Sequence, residues 1–250
     1  MEQKQNIIND TYILYNIDEL KDINFDVLKR EIKFVQMFSQ NSPVPRLVAI
    51  QGIFQNNMKP LYRHPIDAQP EITEMTYSVR RICDVLSKKL NQKFNHVLIQ
   101  LYRDGLDYIG EHSDKTLDIE KNTNIVNYTI GCTRVMRLKS KQKDKSIEQN
   151  IKIPLKSNSV FVLDWQTNRK YLHFIKQDKR YIKEKTEDEL RNNGERISFT
   201  FRTIATFVDK DNNVYGQGAK FKKINPDLDM LKAFSKENHD DNFDWDKYYA

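Results

Sequence analysis

Seven short runs of period-two hydrophobicity crowd the stretch between residues 96 and 207, and no chain with that pattern folds as a helical bundle. They are "HVLIQLY" (96–102), "NIVNYTIG" (124–131), "TRVMRLKS" (133–140), "NIKIPLK" (150–156), "SVFVLDW" (159–165), "KYLHFIK" (170–176) and "RISFTFRTIATF" (196–207). Each is short, β-branched or aromatic, and several alternate apolar with polar residues, as strands with two unlike faces do. Helical spacing dominates earlier. In "EITEMTYSVRRICDVLSKKLN" (71–91), Ile72, Met75, Val79, Ile82, Val85, Leu86 and Leu90 recur at the period of one helix face. Residues 17–36 read as a short helical region. The following 34–52 is apolar and then turn-rich, with Pro43 and Pro45 excluding helix. Helices followed by many short strands predict an α+β chain with a mainly β core, a sandwich or barrel braced by helices. After residue 208 the periodicity is lost, and "KENHDDNFDWDKYYA" predicts a peripheral or partly disordered extension.

The chain has 250 residues, enough for one large domain, and neither internal repeats nor a Gly/Ser- or Pro-rich linker divides it. No apolar run is long enough to span a bilayer, and "MEQKQNIIND" has no signal-peptide core, so the expectation is an intracellular protein, nuclear or cytoplasmic. Its two cysteines, Cys83 and Cys132, stand apart and predict reduced thiols. A formal charge of +6 is compatible with a polyanionic partner and equally with a solvated Lys-rich surface.

"YIGEHSDKT" (108–116) places His112 two residues before Asp114. With five His and 35 Asp plus Glu, that spacing arises by chance, and the tail supplies a rival in His239 and Asp241. The rival lies in an acidic run that reads as solvated charge. His112 instead follows a strand and a glycine-punctuated turn, and on a strand residues i and i+2 share a face. His173, in the centre of "KYLHFI", would complete two imidazoles and a carboxylate, the set suited to iron(II) in oxygenases. Spacing alone leaves open the alternative that His173 is a packed core histidine. "ERISFTFR" adds a second constraint. Arg196, Ser198, Thr200 and Arg202 alternate with Ile197, Phe199 and Phe201, so one strand face carries two guanidinium groups. Inward-pointing arginines need anions, and a dicarboxylate matches two forked donors.

Together "FNHVLIQLYRDGLDYIGEHSD", "SVFVLDWQTNRKYLHFI" and "ERISFTFRTI" resemble the AlkB-like iron(II)/2-oxoglutarate dioxygenases, in family order, over most of the chain. The likeness is to the nuclear DNA-repair branch and to fungal members, including "VYGQGA" after the core. The resemblance implies a double-stranded β-helix (jelly-roll) with N-terminal helices and a substrate lid: a helical and lid region over 1–93, the dioxygenase core over 94–207 and an extension over 208–250. It implies Fe(II) and 2-oxoglutarate as cofactors, with O₂ as co-substrate. His112, Asp114 and His173 match the metal ligands, while Arg196, Arg202 and Tyr102 match residues that hold 2-oxoglutarate. Gln100 and Ser198 stand where the family commonly has Asn. "FVQMFSQNSPVPR" resembles the lid, with Met37, Phe38 and Arg46 in it and Phe38 as the wedge that enters a duplex. Lys115 and Thr116 depart from the acidic residues that the repair branch carries there.

The implied function is oxidative demethylation of N-alkylated nucleobases in DNA or RNA by a monomer that needs no membrane. The altered residues after Asp114 leave a small-molecule or protein substrate as the alternative with the same cofactors. A non-catalytic nucleic-acid module would require a broken ligand set. A zinc hydrolase would leave Arg196 and Arg202 without a purpose.

Overall fold

Alternation along the strands sorts the core into two layers on either side of one large sheet. The computed structural model describes residues 1–39, 41–65, 69–142 and 150–250. A hairpin of β1 (Gln3–Ile8) and β2 (Thr11–Tyr15) opens the chain, followed by α1 (Phe25–Glu31) and a second hairpin, β3 (Val35–Ser39) and β4 (Ser42–Gly52). Short strands β5 (Lys59–Pro60) and β6 (Ile72–Glu74) precede α2 (Tyr77–Leu90). Then come β7 (His96–Tyr102), β8 (Ile109–His112), β9 (Ile125–Gly131), β10 (Arg134–Ser140), β11 (Ile151–Leu155) and β12 (Ser159–Leu163). Helix α3 (Trp165–Lys170), β13 (Tyr171–Ile175), α4 (Glu187–Leu190), β14 (Arg196–Arg202), β15 (Thr206–Val208) and β16 (Val214–Gly216) follow. Two helices, α5 (Leu228–His239) and α6 (Trp245–Tyr249), close the chain.

The main sheet runs β1-β2-β12-β9-β14-β7-β4-β3, with β6 beside β4, and the smaller one runs β11-β10-β13-β8. Both are antiparallel but for the β4–β6 pair, and neither closes on itself. On β7, Val97, Ile99 and Leu101 join Val79, Ile82 and Leu86 of α2 in one core cluster. On β14, Ile197, Phe199 and Phe201 face the same helix layer. The opposite faces of the main sheet meet the smaller sheet, where Ile13 and Phe161 pack with Met136, Leu138, Ile153 and Ile175. Helices therefore shield one face of the main sheet, and the second sheet covers the other, leaving a cavity between the sheets. This is the sandwich braced by helices that the strand pattern predicts, and the jelly-roll that the family resemblance implies. The main sheet takes strands from both sides of residue 93, since β4 pairs with β7.

Three features of the chain read differently in space than in sequence. The stretch 34–52 is a β-hairpin, with Pro43 and Pro45 in the distal part of β4, before β7 takes up pairing at Leu47. There the outer side of β4 has no ladder partner, so the missing N–H costs little. The N-terminal hairpin β1–β2 went unread, because its first strand is polar and largely exposed. The segment after 208 is neither peripheral nor unstructured. Met230, Phe234, Phe243, Trp245 and Tyr249 are buried in the cluster between the sheets. "VYGQGA" anchors this segment: Gly218 lies against the buried Arg63–Asp118 ion pair, where a Cβ would collide with both side chains.

With only seven glycines in the chain, turns needing positive φ use Asn instead. Among the described residues every non-glycine at positive φ is an asparagine, the side chain that best tolerates the left-handed region.

Candidate metal and co-substrate centre

Strand register brings the ligand-type residues together. β8 and β13 pair antiparallel with His112 directly opposite His173. Asp114 follows two residues after the end of β8, and the ligand atoms of all three lie within 4.8 Å of one another. Asp114 Oδ1 is 3.6 Å from His173 Nε2 and 3.9 Å from His112 Nε2. His112 Nδ1 is 2.8 Å from the Gly110 carbonyl oxygen, which only accepts, so Nδ1 carries the proton and Nε2 keeps its lone pair toward Asp114. Burial, and after it His173, hold the His112 imidazole well below its usual range, so it stays neutral. Burial alone would raise the Asp114 carboxyl, but Arg202, followed by His173, holds it well below the usual carboxylate range. Two imidazole nitrogens, one on each facing strand, and an ionised carboxylate oxygen fit a facial iron(II) site with open positions.

The loop carrying Asp114 is fixed from two sides. From α3, Asn168 Oδ1 accepts from the Asp114 amide at 2.9 Å, and Asn168 Nδ2 donates to the Asp114 carbonyl at 3.0 Å. Asp164 caps that helix, accepting from the Gln166 and Thr167 amides and from Thr11. From α5, Asn238 Oδ1 accepts from the Ser113 amide at 3.0 Å and from Lys115 Nζ at 2.9 Å. Glu237, itself buried, accepts from the Thr116 amide and hydroxyl and from Tyr249 Oη. Its neighbour Lys141 donates to the Glu237 carbonyl and the Ser113 hydroxyl, and burial brings its ammonium down to about 7.

Arg196 and Arg202 lie in the same β14 face but are bound differently. Arg202 pairs with Asp114 at 2.7 Å and stacks on the Tyr62 ring, 4.2 Å from guanidinium carbon to centroid. Arg196 is fully buried with Nη2 donating to Thr129 at 2.8 Å, Asn127 at 3.2 Å and Ser198 at 3.3 Å. Its Nε and Nη1 have no hydrogen-bond partner among the described residues, nor has Arg202 Nη1. Burial lowers the Arg196 guanidinium to about 10. Buried donors left open on two arginines are what a dicarboxylate such as 2-oxoglutarate would satisfy. Tyr102, 5.1 Å from the Arg196 guanidinium carbon by its ring centroid, donates from its hydroxyl to Gln100 at 3.4 Å.

Gln100, Tyr102, Asn127, Ser198, Arg202 and the three ligand residues open on one cavity of about 480 Å³, of the size that takes small ligands. Met37 and Arg46 also line it. Phe38 does not: it points outward from β3, 48% exposed, opposite Pro43. Leu231, Phe234, Asn238 and His239 of α5 form part of the wall. His239 thus stands at the cavity, contrary to its reading as tail charge, although it is outside the metal-ligand group. Asn127, Thr129, Asn168, Glu237 and Asn238 were missed. The first two had a signal, polar residues at alternate positions of an otherwise apolar run. The α5 residues had none.

A family model described as the 2OG-Fe(II) oxygenase superfamily matches residues 23–202. DNA oxidative demethylase ALKBH2 of Homo sapiens is 27% identical over 205 residues, 77% of this chain and 71% of that protein. The alpha-ketoglutarate-dependent dioxygenase alkB homolog 3 of Homo sapiens is 22% identical over 131 residues, 50% of this chain and 42% of that one. The solved structure of OsALKBH1 superposes with a TM-score of 0.52 at 14% identity, covering 80% of this chain and all of that one, a likeness of fold. The family match ends at Arg202, so α5 and α6 lie beyond it.

Proposed function

Because the chain belongs to the 2OG-Fe(II) oxygenase superfamily, and so is an iron(II)- and 2-oxoglutarate-dependent dioxygenase, we propose that it oxidatively removes alkyl groups from nucleobase nitrogens in DNA or RNA. The observation that carries this reading is the convergence on one cavity of the His112–Asp114–His173 group and the open donors of Arg202, with Arg196 behind them. The names of the related proteins, which include a DNA oxidative demethylase, support the substrate class. So does the +6 charge, because a phosphate backbone is bound by excess Lys and Arg.

His112, Asp114 and His173 would hold the metal in this reading. Tyr102, with Arg196 behind it, would hold one carboxylate of 2-oxoglutarate, and Arg202 would meet the other end of the co-substrate. Gln100, Asn127 and Ser198 complete the polar lining. Bound iron(II) supplies oxidative decarboxylation of 2-oxoglutarate to succinate and CO₂, placing one oxygen atom of O₂ in succinate and the other in a substrate C–H bond. An N-methyl group so hydroxylated leaves as formaldehyde, its bonding pair staying on nitrogen, which takes a proton. The protein supplies orientation and a cavity that limits water. Met37 and Arg46 face the substrate from the hairpin, with Phe38 at the outer surface.

The test follows succinate release from 2-oxoglutarate, with iron and ascorbate, across a panel of methylated oligonucleotides, and weighs the products by mass spectrometry. Wild type should convert at least one methylated base to its unmethylated form, and Asp114→Ala should convert none. The reading fails if no oligonucleotide loses a methyl group above the Asp114→Ala background.

A further inference from the structure

The charges around the cavity are unevenly distributed. Of its carboxylates, Asp114 is committed to Arg202 and the histidines, and Glu111 is exposed and paired with Lys139 at 2.8 Å. Glu237 behind the wall is taken by Thr116 and Tyr249. Two cations remain on the cavity side. Lys115, 4% exposed and next to the ligand Asp114, donates to Asn238 Oδ1, an acceptor it shares with the Ser113 amide. An ammonium has three donors, and this is the one hydrogen bond it makes among the described residues. Arg46 is also buried, with Nη1 on the Tyr108 carbonyl and Nε unpartnered. Among the described residues, the wall beside the metal site therefore offers donors and lacks a free carboxylate.

From this arrangement we infer that Lys115, steadied by Asn238 of α5, selects neutral N-alkylated bases in which carbonyl oxygens flank the alkylated nitrogen. N3-methylthymine and N3-methyluracil are the simplest members of that class. The inference deepens the dealkylase reading above and rests on it. A cationic base, such as N1-methyladenine or N3-methylcytosine, would bring a positive charge against Lys115 and Arg46 with no free carboxylate among the described residues to meet it. A neutral imide presents an oxygen on each side of the methylated nitrogen. Donation from Lys115 to one of these oxygens fixes the ring by a charge-assisted bond and holds the adjacent methyl group close to the ligand residues. The selective element is partly outside the span that the family model matches, because α5 supplies Asn238.

The full chain, loaded with iron(II) and 2-oxoglutarate, should be given matched oligonucleotides carrying each of these four bases, with formaldehyde and succinate followed together. Wild type is expected to favour the neutral pair in kcat/KM. Lys115→Met should reduce turnover of the neutral pair by about tenfold, the worth of one charged hydrogen bond, and Lys115→Glu should shift the ratio toward the cationic pair. Because Lys115→Glu places a second acid near Glu237 and risks misfolding, Lys115→Met carries the test by itself. Equal or better turnover of the cationic pair by wild type, or a ratio unmoved by Lys115→Met, overturns the inference while the dealkylase reading stands. Succinate release that depends on Asp114, with no formaldehyde from any of the four or from a wider methylated panel, overturns both.

Discussion

Arg202 donates from Nε and Nη2 to a single oxygen of Asp114, Oδ2, at 2.8 and 2.7 Å, and so leaves Oδ1 to face His112 and His173. One carboxylate is shared between a guanidinium and a metal-ligand group. The arrangement fixes the rotation of the carboxylate and keeps it ionised in a buried position. Arg202→Met should therefore weaken metal binding, by about 10–100-fold on the pattern of groups that orient a ligand. Cobalt(II) titration would measure this without oxidation. Arg202→Lys should recover part of the loss through charge, but not the double bond to Oδ2. Wild-type metal affinity in Arg202→Met would show that Asp114 is held by other means.

Arg196 supports a different expectation, because it is a buried cation without a carboxylate partner among the described residues. Replacing it by Met should leave the protein without co-substrate at least as stable as wild type, since a desolvated charge is removed. Its kcat/KM for 2-oxoglutarate should fall by about 30-fold or more, equivalent to roughly 2 kcal/mol. Melting curves separate the effects: added 2-oxoglutarate should raise the wild-type Tm and barely move that of Arg196→Met. A variant destabilised without co-substrate and still protected by it would contradict this account.

Glu237 ties α5 to the ligand loop. Glu237→Ala removes the acceptor of the Thr116 amide, the Thr116 hydroxyl and the Tyr249 hydroxyl at once. Leaving buried donors unsatisfied costs about 1–3 kcal/mol each, so a loss of roughly 3 kcal/mol in urea unfolding is expected. Metal affinity should fall with it, because residues 113–116 lose their hold beside Asp114. Glu237→Gln, which keeps one acceptor oxygen, should lie between the two.

The strand core was legible because burial on both layers imposes period two on the residues themselves. The face of β14 that carries Arg196 and Arg202 followed from that periodicity, whereas the choice of His173 as the partner of His112 also needed the family resemblance, because spacing alone allowed a packed core histidine. The contribution of α5 was not legible. Its buried residues, Met230, Ala233, Phe234 and Glu237, lie among many charges, and Glu237 gains its role from contact with a loop more than 100 residues earlier in sequence. Contacts of that range leave no local pattern. The hairpin of β3 and β4 was obscured for another reason, since its two prolines signal turns wherever strand pairing is unknown.

Acid should destabilise the protein earlier than its carboxylates alone would predict. Burial, and behind it Arg202, bring the His64 imidazole down to about 3, and burial also pushes His96 well below its usual range. An unfolded histidine titrates near 6.5, so between pH 6.5 and 3 the unfolded chain binds protons that the folded one refuses. The stability that these two histidines contribute is full above about pH 6.5 and is lost as the pH falls from there toward 3. Most carboxylates remain ionised between pH 6.5 and 5, which isolates the histidines. Urea midpoints in that interval should decline with falling pH, and His64→Asn should show a shallower decline. Parallel slopes for the two proteins would mean that His64 titrates normally.

Adjacent residues of the β3–β4 hairpin face opposite ways: Met37 lines the cavity, whereas Phe38 is exposed and opposite Pro43. An aromatic ring presented at the outer edge of a substrate cavity is suited to fill the gap when a base leaves a duplex stack, a step that costs a few kcal/mol. Single-stranded substrate requires no such filling. Phe38→Ala should therefore lower the ratio of duplex to single-strand kcat/KM by about tenfold, a fraction of that unstacking cost. The folded state should hardly notice, because Phe38 belongs to none of the core clusters, and a change within about 0.5 kcal/mol is expected. If duplex and single-strand rates fall together, Phe38 acts as a general contact and the wedge assignment is wrong.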